Sequence, residues 1–175
     1  MSSFHYRVLA SIGFALLLTA CAGLPTDLKT TTDYNHSYDF SPIHKVAIQP
    51  IAKDTLSTMM TSDEQINRIN NALTTELQRR GFDVVANNSE ADIFLSWQFL
   101  PPEKDEVATF DPATQKITGG TLTVSMIDPL SLQSVWRASI HSNMRNQPDT
   151  EEAARYRQQA AQAILAQFPP DPSGS

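Results

Sequence analysis

Basic residues, cysteines and long apolar runs are scarce in this sequence, and each scarcity removes a class of function. The 175 residues carry 13 Lys and Arg against 19 Asp and Glu, a formal net charge of −6 with His neutral. Nucleic-acid binding and polybasic membrane patches both need clustered Lys and Arg, so neither partner is expected. There is one cysteine, Cys21, and hence no disulfide framework. The apolar stretch Val8–Leu18 is broken by Ser11 and Gly13; as a helix it would reach roughly 16 Å, half of a bilayer core, too short to span it. Motifs for several chemistries are missing as well. The chain has no Gly-x-Ser-x-Gly elbow, no His-Glu-x-x-His pair, no Walker-type loop and no dinucleotide-binding glycine pattern. Internal repeats and long low-complexity runs are absent too.

What is present begins with an address. Met1–Arg7 is polar with one firm positive charge, and the apolar stretch behind it fits the h-region of a secretory signal. Leu18-Thr19-Ala20-Cys21 then looks like a lipobox. Leu18, Thr19 and Ala20 would be read by lipoprotein signal peptidase, the small side chains of the last two admitting the backbone. Only a thiol at position 21 can carry the thioether to a diacylglyceryl group. The expectation is therefore a signal peptide over residues 1–20 and a mature chain of 155 residues (175 − 20) lipidated at Cys21. Removing Arg7 leaves that chain near −7. At about 0.8 kcal/mol per buried methylene, two or three acyl chains anchor firmly. Ala22 stands where an aspartate would resemble the inner-membrane retention signal of enteric bacteria, so an outer-membrane anchor facing the periplasm is expected.

Residues 21–32 read as a lipidated terminus and a short solvated tether, residues 33–170 as one domain, and 171–175 as a disordered tail. A composition 41% hydrophobic and 18% charged suits that single domain. Ile43–Ile51 alternates like a strand ending near Pro50. Ser62 starts a Ser-x-x-Gln capping box, Ile66, Ile69, Leu73 and Leu77 share one helical face, and Gly81 supplies the stop, which predicts a helix over 63–80. Phe82–Val85 predicts a short strand. Asp92–Phe99 predicts a longer one, with Ile93, Leu95, Trp97 and Phe99 on one face. The polar run Glu103–Thr118 reads as a loop or loose hairpin arm. Gly119–Met126 and Ser134–Met144 then form an antiparallel hairpin about Asp128-Pro129. A last helix is capped by Thr150, carries Ala153, Ala160, Ile164 and Phe168, and stops at Pro169-Pro170. Two amphipathic helices need one apolar surface to cover. The expected fold is therefore α+β: a two-layer sandwich with a mainly antiparallel sheet of four to five strands and two helices on one face.

Several of these residues also carry a resemblance. Asp33-Tyr34, followed by Tyr38-Asp39-Phe40-Ser41, is similar to the opening of the bacterial lipoproteins grouped as domain of unknown function 4136 (DUF4136). Gly120-Thr121-Leu122, Asp128-Pro129 and Val135-Trp136-Arg137 resemble that family's central hairpin, and Phe168-Pro169-Pro170 resembles its ending. The resemblance runs from roughly Thr32 to Pro170. It departs at the turn, where Leu130-Ser131-Leu132-Gln133 replaces the commoner polar Thr-Gly-Lys type and leaves Leu130 or Leu132 exposed. The resemblance implies a periplasm-facing lipoprotein with an α+β domain; the family has no established activity to carry over.

The remaining candidates for chemistry are few. His5 leaves with the signal, and His36, His44 and His141 have no ligand-like spacing. Asp33 and Asp39 beside Tyr34 and Tyr38 could act as a carboxylate pair, but read more simply as turn residues and aromatics that pin the start of the domain. Glu103, Asp105, Glu106 and Asp111 lack the order and glycine of a calcium loop and read as a solvated acidic loop. Trp97 and Trp136 are expected in the core, with Arg137 on the polar face near a cross-strand acid. No cofactor and no metal site is expected. The leading functional expectation is a non-enzymatic, membrane-anchored envelope lipoprotein that meets a protein partner through the 103–118 loop with Asp111, and through Leu130 and Leu132. An alternative is a small-molecule or lipid carrier with ligand held around Trp97, Phe99 and Phe168. A third is an envelope hydrolase using Asp33, Asp39 and His141.

Overall fold

The computed structural model of the chain describes residues 28–51, 62–100, 110–111, 116–117, 120–142 and 150–171. The signal segment, Leu18, Thr19, Ala20 and Cys21 lie outside the described residues, as do Glu103, Asp105 and Glu106; of Asp111 only the backbone is described.

The elements run β1 (Thr30–Tyr34), β2 (Lys45–Ile48), α1 (Asp63–Arg79), β3 (Asp83–Val84), β4 (Ile93–Leu100), β5 (Phe110–Asp111), β6 (Lys116–Ile117), β7 (Gly120–Ile127), β8 (Ser134–Ser142) and α2 (Glu151–Ile164). Six strands form one sheet in the order β1-β8-β7-β4-β2-β3, and β5 pairs with β6 as a separate antiparallel hairpin. The fold is the expected two-layer α+β sandwich, with two departures. One is β1, Thr-Thr-Thr-Asp-Tyr, whose first three residues fall in the expected tether; it pairs with β8 from Thr30↔Ile140 to Tyr34↔Trp136. The other is that the sheet is mixed: β2 pairs in parallel with both β3 and β4. The 17 residues of α1 cover about 25 Å. That carries the chain back to the level where β2 began, so the next strand must run parallel. The connection to β4, with a 3-10 turn at Asn88–Glu90, crosses β2 on the helix-free face. Asn88 and Gln49 exchange amide hydrogen bonds of 3.2 and 3.3 Å there, and Ala47 is buried although it faces away from both helices.

Register aligns the core in rows. Tyr34, Trp136, Met126, Leu95 and Ile48 stand side by side across five strands, and Thr32, Ala138, Val124 and Trp97 form the next row. Onto this face α1 sets Ile69, Leu73 and Leu77, and α2 sets Ala160, Ala161 and Ile164, all buried. Each large apolar side chain so buried contributes roughly 1.5–3 kcal/mol. Trp97 also satisfies its indole by donating to Asn70 Oδ1 at 2.7 Å. The capping box is formed as the spacing predicts: Gln65 N donates to Ser62 Oγ at 3.3 Å and Ser62 N to Gln65 Oε1 at 3.2 Å. Gly81 takes φ +92° behind α1, where a side chain would be strained.

Both helices run from the end of the sandwich where the chain enters β1 toward the end where β1 finishes. We call these the near and far poles. α2 is level with Thr30 at Ala163, whose O accepts from Thr30 Oγ1 at 3.4 Å, and the turn after it carries on to Phe168 beside Trp136. The chain therefore arrives at the near pole, while Tyr34, the β7–β8 turn and Phe168, beyond the end of α2, meet at the far pole.

Candidate functional site

The far pole is built around Phe168. α2 ends at Ile164, and a further turn, Leu165 to Phe168, lays the Phe168 ring against Trp136 and Phe82, both at 5.3 Å between centroids. Phe40 closes edge-on from above at 6.2 Å, Tyr38 meets Phe40 at 4.9 Å, and Tyr34 meets Phe40 at 6.3 Å and His36 at 4.3 Å. A continuous aromatic file thus leads from the buried Trp136 to the surface. The Phe168–Pro169 peptide is cis. Arg80, at the end of α1, fixes this turn from the side: its Nη2 donates to Phe168 O at 2.6 Å and Ala166 O at 3.2 Å, and its Nε to Phe168 O at 3.1 Å. A cation is well placed there, because the last carbonyls of a helix have no partners within it and carry its negative dipole end.

Between the Tyr34–Ser41 segment and Pro169, Pro170 and Asp171 lies a groove of about 240 Å3. Tyr34, His36, Tyr38, Asp39 and Phe40 supply its other wall. Asp39 accepts from Ser41 N at 2.9 Å, and the Ser41 hydroxyl and amide together hold its carboxyl below the ordinary 3.8. Tyr38 donates its hydroxyl to Asp128 Oδ1 at 3.4 Å. Burial, then the Asp128 charge, pushes the Tyr38 phenol above its ordinary value. Asp128 in turn accepts from Ser131 N at 2.8 Å and Ser131 Oγ at 2.6 Å, and these bonds lower its own pKa. That turn carries Leu130 and Leu132, 95% and 68% exposed, with Leu132 at φ 56°.

The expected site residues fare differently. Leu130 and Leu132 are both exposed, on the turn that Asp128 joins to Tyr38 of the groove wall. Asp33 and Asp39 do not form a pair: Asp33 lies on the helix-free face of β1 in register with Arg137, whose Nε donates to Ser125 Oγ at 3.3 Å. His141 is in register with Thr121 toward the near pole, far along β8 from Trp136. Trp97, Phe99 and Phe168, the residues expected to hold a ligand, are buried members of one hydrophobic cluster. Among the described residues no three His, Cys, Asp or Glu side chains gather to hold a metal ion, and no helix is long and apolar enough to cross a membrane. Arg80 carries no expectation from the sequence, and His36 is weighed there only as a metal ligand. A basic residue just before a helix-ending glycine was the available signal for Arg80. A wider hollow of about 590 Å3 opens between the end of β2 and the start of α1, lined by Ile48, Pro50, Ile66 and Asn70 among others. It borders residues 52–61, which lie outside the described residues, so the far-pole groove is the better-defined concavity.

The family model described as Domain of unknown function (DUF4136) matches residues 30–170. Among solved structures, a PDZ domain protein from Parabacteroides distasonis aligns with TM-score 0.53 at 12% identity, over 81% of this chain. The chain spans about a third of that protein, 35% of its length. PelC from Paraburkholderia phytofirmans, solved as a dodecamer, aligns with TM-score 0.49 at 16% identity, over 79% of this chain and 96% of PelC. A DUF4136 family protein from Bacteroides thetaiotaomicron gives 0.48 at 14% identity, over 81% and 94%. At these identities the first likeness concerns the fold alone. No protein of curated function matches by sequence.

Proposed function

The chain belongs to the DUF4136 family, and from that premise we propose that it is a non-enzymatic, lipid-anchored module of the cell envelope that offers its far pole to a protein partner. The observation that carries this reading is polarity. The chain enters the sheet at Thr30 on the near pole, while Leu130, Leu132 and the aromatic groove stand together on the far pole. With lipid on Cys21, residues 22–29 could extend at most about 29 Å before β1 begins. The domain would then stay close to its membrane, taken to be the outer membrane on its periplasmic side, with the groove directed away from it. Two exposed leucines beside fixed aromatic rings have the anatomy of an interface patch, apolar at the centre and polar at the rim.

The separation of Asp33, Asp39 and His141 favours binding over hydrolysis, since general acid–base work needs its groups within reach of one substrate atom. No observation favours a carrier, because the aromatic side chains that would hold its ligand are packed into the core. Photo-crosslinking in intact cells tests the reading. A photoreactive residue at Leu130 is expected to give a discrete adduct, and one at Gln98 on the helix-free face is expected to give none. Equal adducts at both positions, or none at Leu130 under several growth conditions, would overturn it.

A further inference from the structure

We propose that β1 pairs with β1 of a second copy of this chain, antiparallel about a dyad through Thr31, with Lys29 of each copy opposite Asp33 of the other. The inference goes beyond the proposed function and does not depend on it. It begins at the rim of the sheet. β1 stands at one end of the six-strand order, and β3, at the other end, is only two residues long. The backbone phase of β1 follows from one bond: Asn35 N donates to Val135 O at 2.8 Å, one pair beyond Tyr34↔Trp136. Antiparallel bonds recur at every second residue, so Thr31 and Asp33 turn their backbone groups to β8. Thr30, Thr32 and Tyr34 turn theirs to the open side, where no described residue makes a backbone bond with them. Such an edge is a template for another extended chain unless something guards it. β1 has no proline, and its register with β8 is unbroken.

Charge selects the occupant. Lys29, Thr31 and Asp33 are exposed and alternate onto the helix-free face. Neither Lys29 nor Asp33 enters an ion pair with a described residue. Asp33 alone would discourage a neighbouring strand, as charges on sheet edges do. Against a second β1 with Thr31 on the dyad, each Asp33 meets a Lys29, and opposite charges directly across a ladder attract. The same register sets Thr30 of each copy against Thr32 of the other, which gives about four backbone hydrogen bonds. A slip of one residue would set inward-facing backbone groups against outward-facing ones, and a slip of two would move the dyad to Thr32 and leave each Asp33 opposite a Thr31. The helix layer leaves room. Small side chains stand over the edge: Ala163, whose O accepts from Thr30 Oγ1, and Ala166, which with Thr32 and Tyr34 lines a hollow of about 370 Å3. Both tethers leave β1 beside the dyad, so lipids on both would reach one membrane. Each far pole stays uncovered, turned sideways in the pair where a lone chain turns it outward.

The test uses the full chain as produced, in excess detergent micelles, and sedimentation velocity is expected to show a concentration-dependent dimer. Asp33→Lys sets like charges opposite each other on both sides of the dyad and should raise the dissociation constant at least about tenfold. Adding Lys29→Asp to that variant restores the opposition and should return the constant to within about threefold of the parent. Thr31→Cys places two thiols on the dyad with Cα atoms about 4.5 Å apart, inside the disulfide range of about 4.4–6.8 Å. Mild oxidation should link this variant into covalent dimers on a non-reducing gel, while Gln98→Cys on the helix-free face and the parent chain stay unlinked. Tryptophan emission, which reports on Trp136, checks that each variant keeps the fold. A chain that stays monomeric at every concentration reached, an Asp33→Lys variant that dimerises like the parent, or a Thr31→Cys variant linked no more than Gln98→Cys would overturn the inference. The two readings fail separately. A Leu130 adduct in cells from a chain that is monomeric in solution would sink the pair and spare the partner. A dimer with the expected charge response and no adduct at Leu130 would do the reverse.

Discussion

Replacing Arg80 with alanine should loosen the whole far pole, and the structure sets the scale. The guanidinium makes three hydrogen bonds to two backbone carbonyls beyond α2, the shortest 2.6 Å to Phe168 O. Its side chain is 23% exposed, so water could replace only part of what is lost. Hydrogen bonds to a charged group are worth about 1.5–3 kcal/mol each, but three from one fork are not independent. A total of about 2–4 kcal/mol is therefore expected. Glu76 adds little to this, because Arg79 holds its carboxylate through Nε at 2.8 Å and Nη2 at 2.6 Å while Arg80 Nη1 stands 4.0 Å away. For a domain of this size roughly 3 °C of melting temperature accompanies each kcal/mol. Urea titration followed by tryptophan emission is the assay, since Phe168 packs on Trp136 and any slackening of the turn reaches that indole. Arg80→Lys keeps the charge but not the fork, and should recover less than half of the loss. A change below about 0.5 kcal/mol for Arg80→Ala, the ordinary range for a surface substitution, would refute the account.

Four further outcomes follow from separate features. Thr32 Oγ1 is buried without a hydrogen-bond partner, so Thr32→Val should stabilise the fold by about 1 kcal/mol, read as a rise in urea midpoint. A Cβ at Gly120 would collide with Phe99 Cε1 and stand 2.6 Å from Leu100 O; Gly120→Ala should therefore lower stability by about 1–3 kcal/mol in the same titration. Asp92 accepts from His44 N at 2.9 Å and Lys45 N at 2.8 Å, and these amides hold its carboxyl below 3.8. A folded-state pKa below the unfolded one stabilises above the unfolded value, and that stability is lost as pH falls through the folded value. Asp92→Asn should thus be less stable than the parent at neutral pH, and the gap should close below about pH 4 in acid-titrated melts. The chain purified from membranes should begin at Cys21 and carry the added mass of a diacylglyceryl group there, read by mass spectrometry of the N-terminal peptide; an unmodified Cys21 would remove the lipid anchor from the proposed function.

The elements legible in the sequence are those whose apolar spacing is strong. Ser62, Gln65 and Gly81 frame α1, and Ile93 to Phe99 alternate so cleanly that β4 needed no tertiary information. β1 was not legible, because Thr-Thr-Thr-Asp-Tyr has no apolar alternation; it is a strand because β8 offers it an open edge. The mixed sheet was hidden for a related reason. β3 is two residues long, and its direction is decided by where α1 leaves the chain rather than by its own composition. Of the far pole, Tyr34, Tyr38, Asp39 and Phe168 were visible as motif residues. Their convergence was not, since Tyr38 and Asp128 are ninety positions apart and no local pattern announces a contact of that range. Leu130 and Leu132 stood out because apolar residues are unusual in such a turn, and that oddity proved to be surface.

The antiparallel pairing of β1 with β8 also decides how the molecule would bear a load. A pull applied through the N-terminal chain at the near pole, against resistance at the far pole, acts along the axis of β1. The hydrogen bonds of an antiparallel ladder run across that axis. All five register pairs from Thr30↔Ile140 to Tyr34↔Trp136 would therefore be sheared at once, rather than peeled one after another. A strand that looks weak by composition is in this direction a tension member, and yielding requires the ladder to fail as a unit.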